Sequence, residues 1–198
     1  MMTIQMNIPD KDTFLKHMDE VMGKHILEED KHILEDFHVY PSFLRFFQTR
    51  TKITRDDFVI AAHFAYGWMP RMLNLNGTDE DWDQAASLVT EAKNHRLEKD
   101  NLNFLQKLVN NSIVGVSKIL HFANPQQYAI WDSHVCHYLT KHVNVGEADD
   151  FLQYLSICDT IAAWPEVENR RKAMRDKIHQ DLTSFRAIEL TMYIHEVQ

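Results

Sequence analysis

Asn111–Leu139 reads NSIVGVSKILHFANPQQYAIWDSHVCHYL. No Asp or Glu occurs from Asn101 to Trp131, in a chain of formal net charge −8. The acid-free run ends on one carboxylate, Asp132. Upstream of it stand Gly115 and Lys118. The pattern predicts a turn, a helix, a short loop started by Pro125, and then an Asp at the start of a further helix. Asn110, Asn111 and Ser112 are short hydrogen-bonding residues that favour turns and caps. A polar start, a glycine and a following helix can present backbone N–H groups to a phosphate, which makes Ser112, Gly115 and Ser117 candidate contacts. Asn124–Pro125 reads as a cap followed by proline at a first helical position.

The flanking sequence carries the same helical period. Asp10 to Phe37 reads as a helix with a break near Gly23. It holds a near-repeat, HILEEDK then HILEDFH, in register by seven. One pair is too short for a coiled coil, so an acidic solvated face is expected. Pro41 is expected to open a short helix. Thr54-Arg-Asp-Asp57 and Thr78-Asp-Glu-Asp81 are candidate capping boxes ahead of apolar helices. Further helices are expected over Leu102–Val109, Glu147–Ala163, Glu166–Gln180 and Leu182–Val197. No strict alternation bounded by hairpin turns occurs. The fold class is therefore all-α, a compact bundle of about ten helices with a helix-hairpin-helix-like element. Residues 1–198 make one domain, either one core or two lobes with the site between them.

The totals narrow the function class. A composition of 44% hydrophobic and 25% charged residues is that of a soluble globular protein. No window is apolar for long enough to span a membrane. The start, MMTIQMNIPDKDTF, lacks a basic region followed by an apolar run, so no signal peptide is expected. Two cysteines, Cys136 and Cys158, are too few for a disulfide framework, and a cytoplasmic monomer is expected. The acidic balance argues against indiscriminate adhesion to nucleic acid and leaves room for a local basic face. No P-loop, GxSxG or dinucleotide fingerprint is present.

Several residues are candidates for ligand contact. Phe37–Arg55 interleaves five aromatics with Arg45, Arg50, Lys52 and Arg55 and suits a nucleic-acid surface. Its ordinary reading is core aromatics beside surface charges. Tyr66-Gly-Trp68 places two aromatics around a glycine and can wall a base pocket. Tyr128 and Trp131 flank Asp132 and either line that cavity or support it. His134, two residues beyond Asp132, is a candidate phosphate or substrate contact. Arg170, Arg171, Lys172, Arg175 and Lys177 make a basic helix that either grips a nucleic-acid backbone or is simply solvated. Twelve histidines raise the question of a metal. His134, Cys136 and His137 lie close together with His121 upstream, but on a helix Cys136 points away from the other two. With no HExxH and no paired CxxC, neither metal nor cofactor is expected.

Gly115, Lys118 and Asp132, in this order and setting, resemble the motif of the helix-hairpin-helix DNA glycosylases. Those enzymes share a glycine-containing hairpin, often ending in Lys, then a helix, a Pro-containing apolar segment, and an Asp at a helix start. The resemblance covers Leu108–Leu139. It places Gly115 and Lys118 at the hairpin end, Ile119–Phe122 in the helix, and Asp132 at the family's catalytic position. The usual Leu-Pro-Gly-x-Gly hairpin is here Ser-Ile-Val-Gly-Val, and the interval from Lys118 to Asp132 is several residues shorter than in familiar members. The resemblance implies a glycosylase that removes a damaged or modified base, a hypermodified viral base included, from double- or single-stranded DNA. Asp132 would act with or without a Lys118 Schiff base. The alternative expectation is a non-catalytic helical DNA-binding or regulatory protein.

Overall fold

The computed structural model describes residues 5–23, 31–67, 69 and 72–197, with 31–36 described for their backbone alone. Ten helices lie among these residues: α1 Lys11–Gly23, α2 Lys31–Gln48, α3 Arg55–Gly67, α4 Asp79–Ala92, α5 Lys99–Leu108, α6 Ile113–Ala123, α7 Ser133–Thr140, α8 Ala148–Ala162, α9 Pro165–Ile178 and α10 Ser184–Glu196. The fold is all-α, as the periodicity implies, and no strand occurs among the described residues. None of these helices is long and apolar enough to cross a membrane. Of the near-repeat, residues 25–30 lie outside the described residues, and the second copy, residues 32–38, belongs to α2.

Helix starts follow local chemistry. The Thr78 hydroxyl accepts the Asp81 N–H while the Asp81 carboxylate accepts the Thr78 N–H, which completes one expected capping box. Thr54 and Asp57 make the same exchange at α3. Pro165 is the first residue of α9, where its missing N–H costs nothing. Each helix contributes to the interior: Phe14, Tyr40, Phe58, Val89, Leu102, Leu120, Val135, Phe151, Val167 and Ile188, one from each helix, belong to a single apolar cluster. Helix α6 is central and packs on α2, α3, α4, α5 and α8, whereas α10 packs on α1, α7, α8 and α9.

Three local expectations are corrected. Pro41 does not open a helix; α2 runs through it. A proline there leaves the carbonyl four residues back, that of Phe37, without its helical donor. The Gln180 side-chain amide donates to that oxygen at 2.8 Å, a partner 143 residues away in sequence. Asn124–Pro125 does not start a helix either. Asn124 ends α6, and residues 125–127 form a turn in which the Asn124 carbonyl accepts the N–H groups of Gln127 and Tyr128. Its side-chain amide donates to the Ala92 and Lys93 carbonyls at the end of α4. Finally, Gly115 and Lys118 are not in the hairpin. The turn between α5 and α6 is Val109–Ser112, with Asn110 and Asn111 left-handed at φ 52° and 53°. Asparagine tolerates that conformation better than most residues.

Replacing Gln180 by Leu removes the donor that compensates Pro41. The expected loss is about 1 kcal/mol, read as a fall in Tm of roughly 2–4 °C. An unchanged Tm would show that the Phe37 carbonyl does not need it.

Candidate functional site

The segment that delivers Asp132 is held by its backbone. Tyr128–Trp131 crosses the interior in extended form, and all four of its residues are buried. His121 Nδ1–H donates to the Tyr128 carbonyl at 2.7 Å. The Tyr154 hydroxyl donates to the Ile130 carbonyl at 3.1 Å. Ser117 Oγ accepts the Trp131 N–H at 3.0 Å and donates to the Val114 carbonyl at 2.8 Å. The aromatic side chains are anchors too. Trp131 donates its indole N–H to the Val145 carbonyl at 2.8 Å and lies against Tyr154, ring centroids 4.7 Å apart. The Tyr128 hydroxyl accepts the Leu97 N–H and donates to the His95 carbonyl. Burial drives the His121 ring down to about 3, so it is neutral. Its Nε2 then accepts from the Tyr40 hydroxyl at 2.8 Å.

Asp132 emerges from this segment as the N-cap of α7. Its Oδ1 accepts the N–H groups of His134 (2.9 Å) and Val135 (3.0 Å). Oδ2 accepts no hydrogen bond from the described residues. The carboxylate borders a cavity of about 860 Å³, which Lys118, Tyr66, Ser112 and His134 also line. Five residues singled out in the sequence thus meet at one cavity, from α3, α6, α7 and the two caps. The first turn of α6 borders it as well, through Ile113 and Val114.

Other candidates stand elsewhere. Tyr128, Trp131 and Ser117 are fully buried supports of the Asp132 segment, not cavity walls. Gly115 is buried in the first turn of α6, where the Tyr66 ring comes within 2.8 Å of the place a Cβ would occupy. Its lack of a side chain lets Tyr66 lie there and donate to the Val109 carbonyl at 3.2 Å. Arg45, Arg50 and Lys52 do not line the cavity; Arg50 pairs with Asp57 at 2.7 Å and lies over the Phe46 ring. Trp68 lies outside the described residues. The basic side chains of α9 are engaged: Arg170 with Asp19 of α1, Arg171 and Lys172 with Glu168, Arg175 with Asp176, and Lys177 with the Met22 carbonyl.

Two charged cavity residues escaped the sequence reading, Arg186 and Glu189 on α10. They form a buried ion pair, 4% and 3% exposed, and Arg186 also lies over the Tyr40 ring. Burial and, in addition, the Asp132 carboxylate push the Glu189 carboxyl up to about 7, against the opposing pull of Arg186 and Lys118. A cation pair, Lys118 and Arg186, therefore shares one enclosure with Asp132 and a carboxyl that exchanges its proton near neutrality. The rim is rich in amides. Asn74, Asn76, Asn110 and Asn111 line it, and residues 72–76 are strapped over the hairpin by a Leu75–Val109 bridge and by Asn110, whose amide donates to the Met72 carbonyl.

Helix α10 is buried on nearly every side, and Arg186 and Glu189, three residues apart within it, pair there.

Comparisons with protein-family models, with curated proteins and with solved structures find no match to this chain.

The raised Glu189 carboxyl has a signed consequence. Between pH 4.5 and 7 the folded protein holds a proton that the unfolded chain releases, so this group's contribution to stability falls as pH rises through that window. Glu189→Gln removes the effect. The Tm of the wild type minus that of Glu189→Gln should decrease from pH 4.5 to pH 7; a difference independent of pH would contradict the assignment.

Proposed function

We propose that the protein is a DNA glycosylase acting on a damaged or otherwise modified base, with the cavity beside Asp132 as its base pocket. The observation that carries this reading is the convergence of Asp132 and Lys118 on one cavity with the buried Arg186–Glu189 pair. A base inside a duplex has to leave the stack to be reached, and a cavity lined by polar and aromatic groups can receive it. Arg186 and Glu189 offer donors and an acceptor to a base edge. Tyr66 and Tyr193 supply rings at the wall. The N-terminus of α6, capped by Ser112, suits a backbone phosphate at the mouth.

Cleavage of the N-glycosidic bond sends its electron pair to the departing base and leaves positive charge on the sugar. The Asp132 carboxylate, whose Oδ2 accepts no hydrogen bond from the described residues, stabilises that charge. Water then adds at C1′, its proton passing to a carboxylate, in a monofunctional enzyme. In the bifunctional variant the Lys118 amine adds at C1′ instead and carries the sugar as a Schiff base. Glu189, protonated for part of the time near neutrality, can hold the proton that the departing base takes up.

Asp132→Asn should lower base release by about 10²–10⁴-fold while DNA binding persists. Borohydride added during turnover should trap a protein–DNA adduct that Lys118→Gln abolishes. Base release without an adduct would assign the water route. DNA binding without base release, on a panel of modified duplexes and single strands, would reject the enzyme in favour of a non-catalytic DNA-binding protein.

A further inference from the structure

On the side of the bundle where α1 meets α10, His17, Glu20 and His195 each bring one donor atom within 4.8 Å of the other two. None of the three lines the cavity. His17 and Glu20 come from α1, three residues apart on one helix face; His195 comes from α10, 178 residues further along the chain. The imidazoles lie nearly face to face, ring centroids 3.9 Å apart and planes tilted by 32°. Two protonated rings would repel at that distance.

We propose that His17, Glu20 and His195 form a binding site for a divalent metal of the zinc class. Two imidazole nitrogens and one carboxylate are a common ligand set for zinc, with water in the fourth position. Two further observations favour an ion. The His17 Nδ1 is engaged with the Tyr138 hydroxyl at 2.7 Å, which leaves Nε2 as its donor and fixes the ring as outer-shell bonds do at metal sites. The His195 Nδ1 is shielded from solvent and makes no hydrogen bond among the described residues; Glu196 Oε1 lies 3.7 Å away. A buried ring nitrogen without a partner is uncommon in a folded protein.

The surroundings are compatible with this occupant. Among the described residues Glu20 pairs ionically with Lys16, at 3.6 Å and largely exposed, a contact that a cation displaces at little cost. Glu196 is committed to His137 and Lys141 and so does not compete for the ion. The ion would cross-link the first and last described helices. Because α10 also carries Arg186 and Glu189, occupancy would hold that wall of the cavity in place while standing apart from the chemistry.

The test uses the full chain, freed of metal by chelation. Zinc should bind with a stoichiometry of one and raise Tm by roughly 5–10 °C at a hundredfold excess over Kd. Cobalt(II) should give the intense visible bands of a four-coordinate nitrogen–oxygen site. His195→Gln and Glu20→Gln should each remove the Tm shift, and His63→Gln on α3 should retain it. No saturable binding, a weak six-coordinate cobalt spectrum on the wild type, or a zinc shift unchanged in both variants would overturn the site. Base release plays no part in these readouts, so the outcome is independent of the glycosylase reading.

Discussion

The hydrogen bond from the Trp131 N–H to Ser117 Oγ, 3.0 Å long and fully buried, ties the segment that delivers Asp132 to helix α6, which carries Lys118. A backbone group buried without a partner costs on the order of 1–3 kcal/mol, so an extended segment can cross the interior only where its polar groups are met. Ser117 meets Trp131, Tyr154 meets Ile130 and His121 meets Tyr128. Once these bonds are made, Asp132 has little choice of position. Its Oδ1 closes the first turn of α7, and its other oxygen is left for the cavity. Lys118 stands one residue beyond Ser117 on the same helix, so a single contact sets the carboxylate and the amine relative to each other.

The cavity concentrates charge that the interior would otherwise exclude. Lys118, Arg186 and Glu189 are each less than one-tenth exposed. Buried charges persist when they are paired, and here two cations face two carboxyls. The arrangement leaves Glu189 easy to protonate, because Asp132 and burial both resist a second negative charge. The amide-rich rim adds neutral donors and acceptors at the mouth. An overall acidic protein thus brings two cationic groups, Lys118 and Arg186, to one cavity, while Arg170, Arg171, Lys172 and Arg175 of α9 pair with acids.

Much of this was legible in the sequence where the information is local. The helical period, the Thr54 and Thr78 capping boxes, and the Asp at the head of α7 all depend on residues within a few positions of one another. The errors arise where distant residues decide. Pro41 should end or open a helix by itself, and the Gln180 amide, distant in sequence, satisfies the Phe37 carbonyl that it leaves open. Trp131 beside a candidate catalytic Asp looks like a pocket wall; Tyr154 and Val145 make it an anchor instead. Gly115 looks like hairpin chemistry, yet its missing side chain makes room for Tyr66. Arg186 and Glu189 were hidden in a helix whose apolar residues suggested an ordinary amphipathic stripe.

The most direct measurement is the identity of what leaves the DNA. The wild-type protein and Asp132→Asn are each incubated with oligonucleotides bearing oxidised, alkylated, deaminated or hypermodified bases, and the small-molecule fraction is read by mass spectrometry. The account predicts that one class of free base appears with the wild type, matched by abasic strands, and that it falls to background with Asp132→Asn. Equal release by both proteins would contradict the role given to Asp132, and no free base from any substrate would contradict the glycosylase itself.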